Sequence, residues 1–268
     1  MSSVTYITSI NKQLYEATGR TCLESWAKHA WGSQLDIYYE GDHDFLEEIY
    51  SGNPWSDCGL YLDIMRSGIL TNWLDANKDI IPKALGGEFV CKCPYNKKTP
   101  HKGHRKGCPA GGMRRRASQW HRKFVSVYAA SMLSASDVIV WMDTDIVFKK
   151  PLPEQFIIDQ LGEHDMLYHM GPTRRRIKHG TETGFWIFRS KNKIISEMQN
   201  RFASGEFRKY ERWDEAWMLW EVLKDGKRNA RDVVKKPTST GHVVEVGPFA
   251  SYITHNKGEH WKNHKVDG

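Results

Sequence analysis

The segment 4–10, VTYITSI, has the alternating, β-branched character of a strand, and the period changes directly after it. From 13 to 31, Leu14, Cys22, Leu23 and Trp26 recur at helical spacing, and 35–39, LDIYY, predicts a second strand. A strand–helix–strand opening favours parallel neighbours, because the crossover between parallel strands needs a dozen or more residues. The apolar positions of 54–77 are compatible with a helix, with Gly59 and Gly68 interrupting it. Periodicity then disappears: 86–119 crowds Gly, Pro, Lys, Arg, His and Cys together and predicts an insertion or long loop. Helical spacing resumes at Phe124, Val127, Tyr128 and Leu133, followed by a short apolar run, 137–142, suited to a buried central strand. Further on, the pattern predicts a strand over 184–188, helices over 191–202 and 213–223, and short strands near 243–246 and 252–254. The fold class expected is α/β, a single domain over 1–268 with a central, mostly parallel sheet flanked by helices and a basic insertion at 86–119.

Composition narrows this picture. The 268 residues are 40% hydrophobic, 12% aromatic and 26% charged, enough to bury a substantial core and too ordered in pattern for disorder. No run approaches the ~18–20 apolar residues a membrane span requires, and the N-terminus lacks the basic start and apolar stretch of a signal peptide. The expectation is a cytoplasmic protein without a membrane partner. The net charge of +7 is local: between Glu88 and Asp137 there are 11 basic residues and no acidic one, whereas acids outnumber bases 32 to 28 elsewhere. Such clustering fits a polyanion site or a solvated loop.

The apolar strand at 137–142 ends abruptly at Asp143-Thr144-Asp145. Two carboxylates after a buried strand sit at the carboxyl edge of a sheet, where open α/β folds bind ligands, and like charges there call for a counter-ion. Carboxylate oxygens suit Mg²⁺ or Mn²⁺ bridging to substrate phosphates. Read in isolation, a D-x-D also fits a surface turn making local backbone bonds.

The octapeptide Trp141-Met142-Asp143-Thr144-Asp145-Ile146-Val147-Phe148 resembles the metal-binding signature of nucleotide-sugar-dependent glycosyltransferases with the GT-A fold, in particular the glycogenin-like and galactosyltransferase-like branch. Three more segments come in the order that family requires. The segment 182–189, ETGFWIFR, is similar to the one lining the donor sugar and acceptor, with Glu-Thr where the family commonly has Asn-Ser before the glycine. Trp213-Asp214-Glu215 resembles the acidic pair that opens a helix beneath the reacting sugar. His255-Asn256-Lys257-Gly258, with Trp261 and Lys262, resembles the C-terminal segment whose histidine completes the metal site and whose lysine meets the diphosphate. The resemblance extends from the first strand to this last motif and omits 86–119.

The resemblance implies a transferase moving a sugar from a nucleoside-diphosphate donor, most simply a UDP-sugar, to a hydroxyl. Asp143, Asp145 and His255 would hold Mn²⁺ or Mg²⁺, with Lys257 and Lys262 on phosphate oxygens, because the leaving group gathers negative charge that cations must absorb. Asp214 or Glu215 would be the catalytic acid facing the pocket, the other capping the helix. Thr8 and Ser9 fall where the family places base and ribose, and equally fit a turn or helix cap; Arg122 or Lys123 corresponds in placement to a basic donor contact. Gly184 and Trp186 would line the acceptor site.

The insertion carries its own chemistry. Five cysteines is an odd count, which argues against a disulfide framework. Cys91, Cys93, His101, His104 and Cys108 fall within 18 positions and could supply the four ligands of a structural Zn²⁺, or remain free thiols and solvated histidines. Arg114, Arg115 and Arg116, and a second cluster at Arg174, Arg175 and Arg176, point to a polyanionic acceptor, such as phage DNA carrying hydroxymethylated pyrimidines flipped from the stack, which would place the enzyme in host cytoplasm. Protein or polysaccharide acceptors fit the same transferase. The competing classes are a non-catalytic nucleic-acid-binding module built on the basic loop, and a metal-dependent nuclease.

Overall fold

The computed structural model describes residues 4–30, 32–57, 59–78, 117–177, 180–210, 212–236 and 243–256. Nine strands are present among them: β1 (Val4–Asn11), β2 (Gln34–Glu40), β3 (Tyr61–Asp63), β4 (Val138–Met142), β5 (Ile146–Phe148), β6 (Met166–His169), β7 (Glu182–Arg189), β8 (Ala230–Asp232) and β9 (Ile253–His255). Seven form one sheet in the order β3-β2-β1-β4-β7-β6-β8, while β5 and β9 make a separate two-stranded ribbon. The β1–β2, β1–β4, β2–β3 and β6–β8 pairs are parallel; β7 runs antiparallel to both β4 and β6. The expected α/β class with a mostly parallel sheet is what the chain adopts.

The central strand β4 reads as an unbroken apolar run because both its faces are covered. Val138, Val140 and Met142 of β4 enter one core cluster with Tyr6, Trp26 and Ile187, whereas Ile139 and Trp141 enter the other with Phe124, Trp186 and Phe202. That two-residue alternation is the pleat expressed in packing. The helix Ala117–Leu133 lies on the second face; its buried positions include His121, Lys123, Phe124 and Val127.

Several local expectations change. The 13–31 helix is broken into a turn at Lys12–Leu14, a π-helical stretch Tyr15–Gly19 and a regular helix Arg20–His29. The region 54–77, expected to be helical, contains the edge strand β3 and a 3₁₀ turn at Ile64–Ser67 before the helix Ile69–Ala76, because Gly68 takes φ 71° and resets the chain direction. Val243–Glu245 is a 3₁₀ turn rather than a strand. The helix Ala117–Leu133 starts inside the stretch assigned to the insertion. Cys91, Cys93, His101, His104, Cys108, Arg114, Arg115, Arg116, Lys257 and Lys262 lie outside the described residues. No helix among the described residues is long and apolar enough to cross a membrane.

Candidate metal and donor site

β4 delivers its carboxylates to the carboxyl edge of the sheet. Asp143 continues the β4–β7 ladder for one more bond, its N–H donating to Gly184 O at 2.8 Å, and the chain then turns, Ile146 N–H donating to Asp143 O at 3.0 Å. β5 leaves that turn and pairs with β9, with Ile146 opposite His255, while Asn256 N–H donates to Asp145 O at 3.0 Å. The short ribbon therefore carries a residue more than a hundred positions away back to the aspartates.

As a result, ligand atoms of Asp143, Asp145 and His255 all lie within 4.8 Å of one another. His255 Nε2 is 2.7 Å from Asp145 Oδ1; the imidazole side chain is fully enclosed, while each aspartate side chain keeps 24% of its surface exposed. Two carboxylates and an imidazole converging on one point, open to solvent on the aspartate side, fit a divalent cation with positions left for substrate oxygens. Gly184 makes this possible: a Cβ there would fall 2.5 Å from His255 Cε1.

Beneath the aspartates lies a buried charge cluster. Lys123 Nζ reaches from the helix Ala117–Leu133 to Asp143 Oδ1 at 2.6 Å, Glu215 Oε1 at 3.0 Å and Thr183 O at 2.6 Å. It sits 5.2 Å over the Trp141 ring and 5.8 Å over that of Trp186. Trp141 Nε1–H also donates to Asp143 Oδ1, at 2.8 Å. Thr183 Oγ1–H donates to Glu215 Oε1 at 2.8 Å, while the other oxygen, Oε2, is buried with no hydrogen-bond partner among the described residues. Burial raises the Glu215 pKa above the ordinary value; Lys123 opposes that shift, and Asp214 and Asp143 add to it. For Lys123, burial pulls downward, but Asp143 and Glu215 more than reverse it, so the ammonium stays charged.

The acidic pair divides as its position dictates. Asp214 is the N-cap of the helix Glu215–Leu223, accepting from Trp217 N–H at 3.1 Å, and its carboxylate also meets Arg212 at 2.8 and 3.1 Å. It is turned to structural bonds, and Glu215 is the member that joins the cluster. Arg122, next to Lys123, instead pairs with Glu40 at 2.6 Å.

Other sequence-derived assignments move. Trp186, expected to line an acceptor pocket, is entirely buried and donates its indole N–H to Thr183 O, so it supports Lys123 from the core side. Gly184 faces His255 rather than an open surface. Arg174 pairs with Glu182 at 3.0 Å and Arg175 with Asp232 at 3.0 Å, so two of the three arginines serve internal carboxylates, and Arg176 is exposed. Thr8 and Ser9 lie within β1, directly beyond the stretch paired with β4; Thr8 is buried, Ser9 half-buried, and Asn11 caps the next turn. The sequence assigned no individual role to Glu182, Thr183 or Cys22, the first two noted only as a departure from the family pattern. The thiol of Cys22 lies 3.6 Å from Asp143 O, and burial, with Asp145 and Asp143 nearby, raises its pKa. A cavity of about 420 Å³ lined by Gln160, Arg231, Lys235, Lys236 and Gly247 shares no lining residue with the aspartate site.

The sequence matches no protein-family model and no curated protein. Similar solved structures are glycosyltransferases. Mouse xyloside xylosyltransferase 1 aligns with TM-score 0.50 at 11% identity, covering 85% of this chain and 84% of its own. The galactosyltransferase LgtC, solved with donor and acceptor sugar analogues, aligns with TM-score 0.50 at 8% identity, covering 86% and 73%. GlyE of Streptococcus pneumoniae TIGR4 gives 0.47 at 12% identity, and the chain spans 44% of its length. The fold of this chain is thus the GT-A fold of glycosyltransferases.

Proposed function

We propose that this protein is a metal-dependent glycosyltransferase that moves a sugar from a nucleoside-diphosphate donor, a UDP-sugar in the simplest reading, to a hydroxyl acceptor. One observation carries the reading: Asp143, Asp145 and His255 converge within 4.8 Å at the carboxyl edge of a GT-A sheet. Those three residues would hold Mn²⁺ or Mg²⁺, which when bound supplies Lewis-acid stabilisation of the departing diphosphate. Lys123 fixes Asp143 from the core side and holds Glu215 beside it. Glu215 Oε2 is the group for the reacting sugar: it would receive the acceptor proton or stabilise positive charge at the anomeric carbon. Lys257 and Lys262 are assigned to the diphosphate, and Thr8 and Ser9 to base and ribose, on the family resemblance.

The acceptor reading rests on charge. Nine cations from Lys92 to Arg116 without an acid among them, leaving aside the internally paired Arg122 and Lys123, favour a polyanion, with hydroxymethylpyrimidine DNA as the specific proposal and Arg114, Arg115, Arg116 and Arg176 as contacts. Bound zinc on the Cys91 to Cys108 cluster would brace that segment.

The test is a thermal-shift and turnover screen of nucleotide sugars with and without Mn²⁺. A ligand at 100 times its Kd adds about 2.7 kcal/mol of stability. The true donor should stabilise the wild type only with the metal present, and Asp145→Asn should abolish both that shift and turnover. A folded Asp145→Asn protein with unchanged turnover would overturn the assignment; DNA cleavage in Mg²⁺ without sugar transfer would replace it with a nuclease.

A further inference from the structure

Resting on the metal reading above, we propose that Glu182 is the positioning residue of the site: held by Arg174, it orients the His255 imidazole so that Nε2 faces the cation. Glu182 opens β7 and is 3% exposed. Its Oε1 accepts from the N–H groups of Thr183 at 3.2 Å and Gly184 at 3.0 Å, and its Oε2 takes Arg174 at 3.0 Å. Thus tethered from both ends, it places Oε1 4.0 Å from His255 Nδ1, while Nε2 of the same ring points to Asp145 at 2.7 Å.

The two nitrogens need different neighbours. An imidazole that ligates through Nε2 is neutral and carries its proton on Nδ1. A carboxylate facing Nδ1 favours that tautomer and fixes the ring plane, as acidic partners do behind metal-bound histidines generally. At 4.0 Å the contact is electrostatic rather than a hydrogen bond. The absence of a side chain at Gly184 lets the ring approach: the position a Cβ would take is 3.0 Å from Nδ1 and 3.2 Å from Glu182 Oε1. A charge this deeply buried is costly to desolvate, and pairing offsets part of that cost. Arg174 supplies that partner, which gives one residue of the 174–176 cluster a purpose inside the fold.

The experiment compares full-length wild type with Glu182→Ala, Glu182→Gln, His255→Ala and Asp145→Asn. Mn²⁺ affinity is measured by calorimetry, and ¹⁴N coupling to bound Mn²⁺ by pulsed electron paramagnetic resonance. Glu182→Ala should weaken Mn²⁺ binding about 10- to 100-fold and diminish the ¹⁴N signal that His255→Ala abolishes. Glu182→Gln keeps an oxygen acceptor and should lose less affinity; it carries the test if the alanine variant does not fold. Mn²⁺ affinity within twofold of wild type in the folded Glu182 variants, with His255→Ala still impaired, overturns the positioning role and leaves the metal site standing. Weakened binding with an unaltered ¹⁴N coupling also overturns it. Wild-type Mn²⁺ affinity in both His255→Ala and Asp145→Asn removes the metal reading and this proposal together.

Discussion

Lys123→Met removes one charge from beneath the aspartate turn while keeping an unbranched stem of similar length. In the native protein the ammonium serves Asp143, Glu215 and the Thr183 carbonyl from a side chain only 10% exposed. Its removal strands the Glu215 carboxylate, whose side chain is 2% exposed, with Thr183 Oγ1 as its hydrogen-bond donor. Breaking a buried ion pair by deleting one partner costs about 3–5 kcal/mol. At roughly 2–4 °C per kcal/mol for a chain of this size, Tm should fall by about 6–20 °C. The pH dependence has a definite sign. Burial holds the folded-state pKa of Glu215 above its unfolded value, so its ionisation costs stability as pH rises through that interval; without Lys123 the cost grows. The deficit of the variant against wild type should therefore narrow as pH falls from 7 toward the ordinary glutamate range, because the stranded Glu215 takes up its proton above that range. Urea unfolding followed by tryptophan fluorescence at pH 7 and pH 4 measures this. The double variant Lys123→Met/Glu215→Gln should recover at least about 1 kcal/mol at pH 7, the signature of coupled neighbours. A Lys123→Met protein within about 1 kcal/mol of wild type at pH 7 would show that the cluster is not the interlocked pair its distances describe.

Two other substitutions probe neighbouring features. Gly184→Ala places a methyl 2.5 Å from His255 Cε1, and the enclosed ring must move; Mn²⁺ affinity should drop at least about tenfold with a stability loss of about 1–3 kcal/mol, and unchanged calorimetric binding would count against the geometry. His121 is fully buried, stacked on Trp73 at 4.0 Å, and burial, with Arg122 adding, lowers its pKa to about 3. The unfolded chain thus takes up that proton first, so the stability His121 contributes is whole above about pH 6.5 and is lost as pH falls toward 3. His121→Phe should remove part of this acid sensitivity, seen as a flatter fall of unfolding free energy between pH 6 and pH 4; an unchanged slope would mean that other groups govern it.

Much of the frame was legible because its signals are strong. The run before Asp143 is apolar on both faces, so its burial, and the emergence of the two aspartates at its end, could be read directly. His255 was legible only through its motif, since β5 and β9 have three residues each and show no period. Lys123 looked like one of eleven cations because charge counting cannot separate a buried lysine from a solvated one. Its place beside Phe124 and four residues before Val127, on the apolar face of the helix, was the available signal. Glu182 registered as a departure from a family pattern; its partner Arg174 was assigned to an external polyanion. Trp186 was misread because β7 is buried on both faces, so an aromatic there is core on either side. The cap at Asp214 was foreseeable as one of two roles, but which acid turned inward depended on Arg212, two residues away.

The charges described at the site separate into pairs turned to the fold and the carboxylates that face solvent. Arg174 answers Glu182, and Arg212 answers Asp214, so neither pair contributes net charge. Among the described residues, Lys123 is shared by Asp143 and Glu215, while Asp145 faces His255, which must be neutral to ligate. Because Lys123 occupies the core side of Asp143, the partly exposed side of the two aspartates is the one that would meet a cation. On the function proposed above, a diphosphate would bring further negative charge to that side, and Lys123 is already shared by two carboxylates. The family resemblance assigns the balancing of that charge to Lys257 and Lys262.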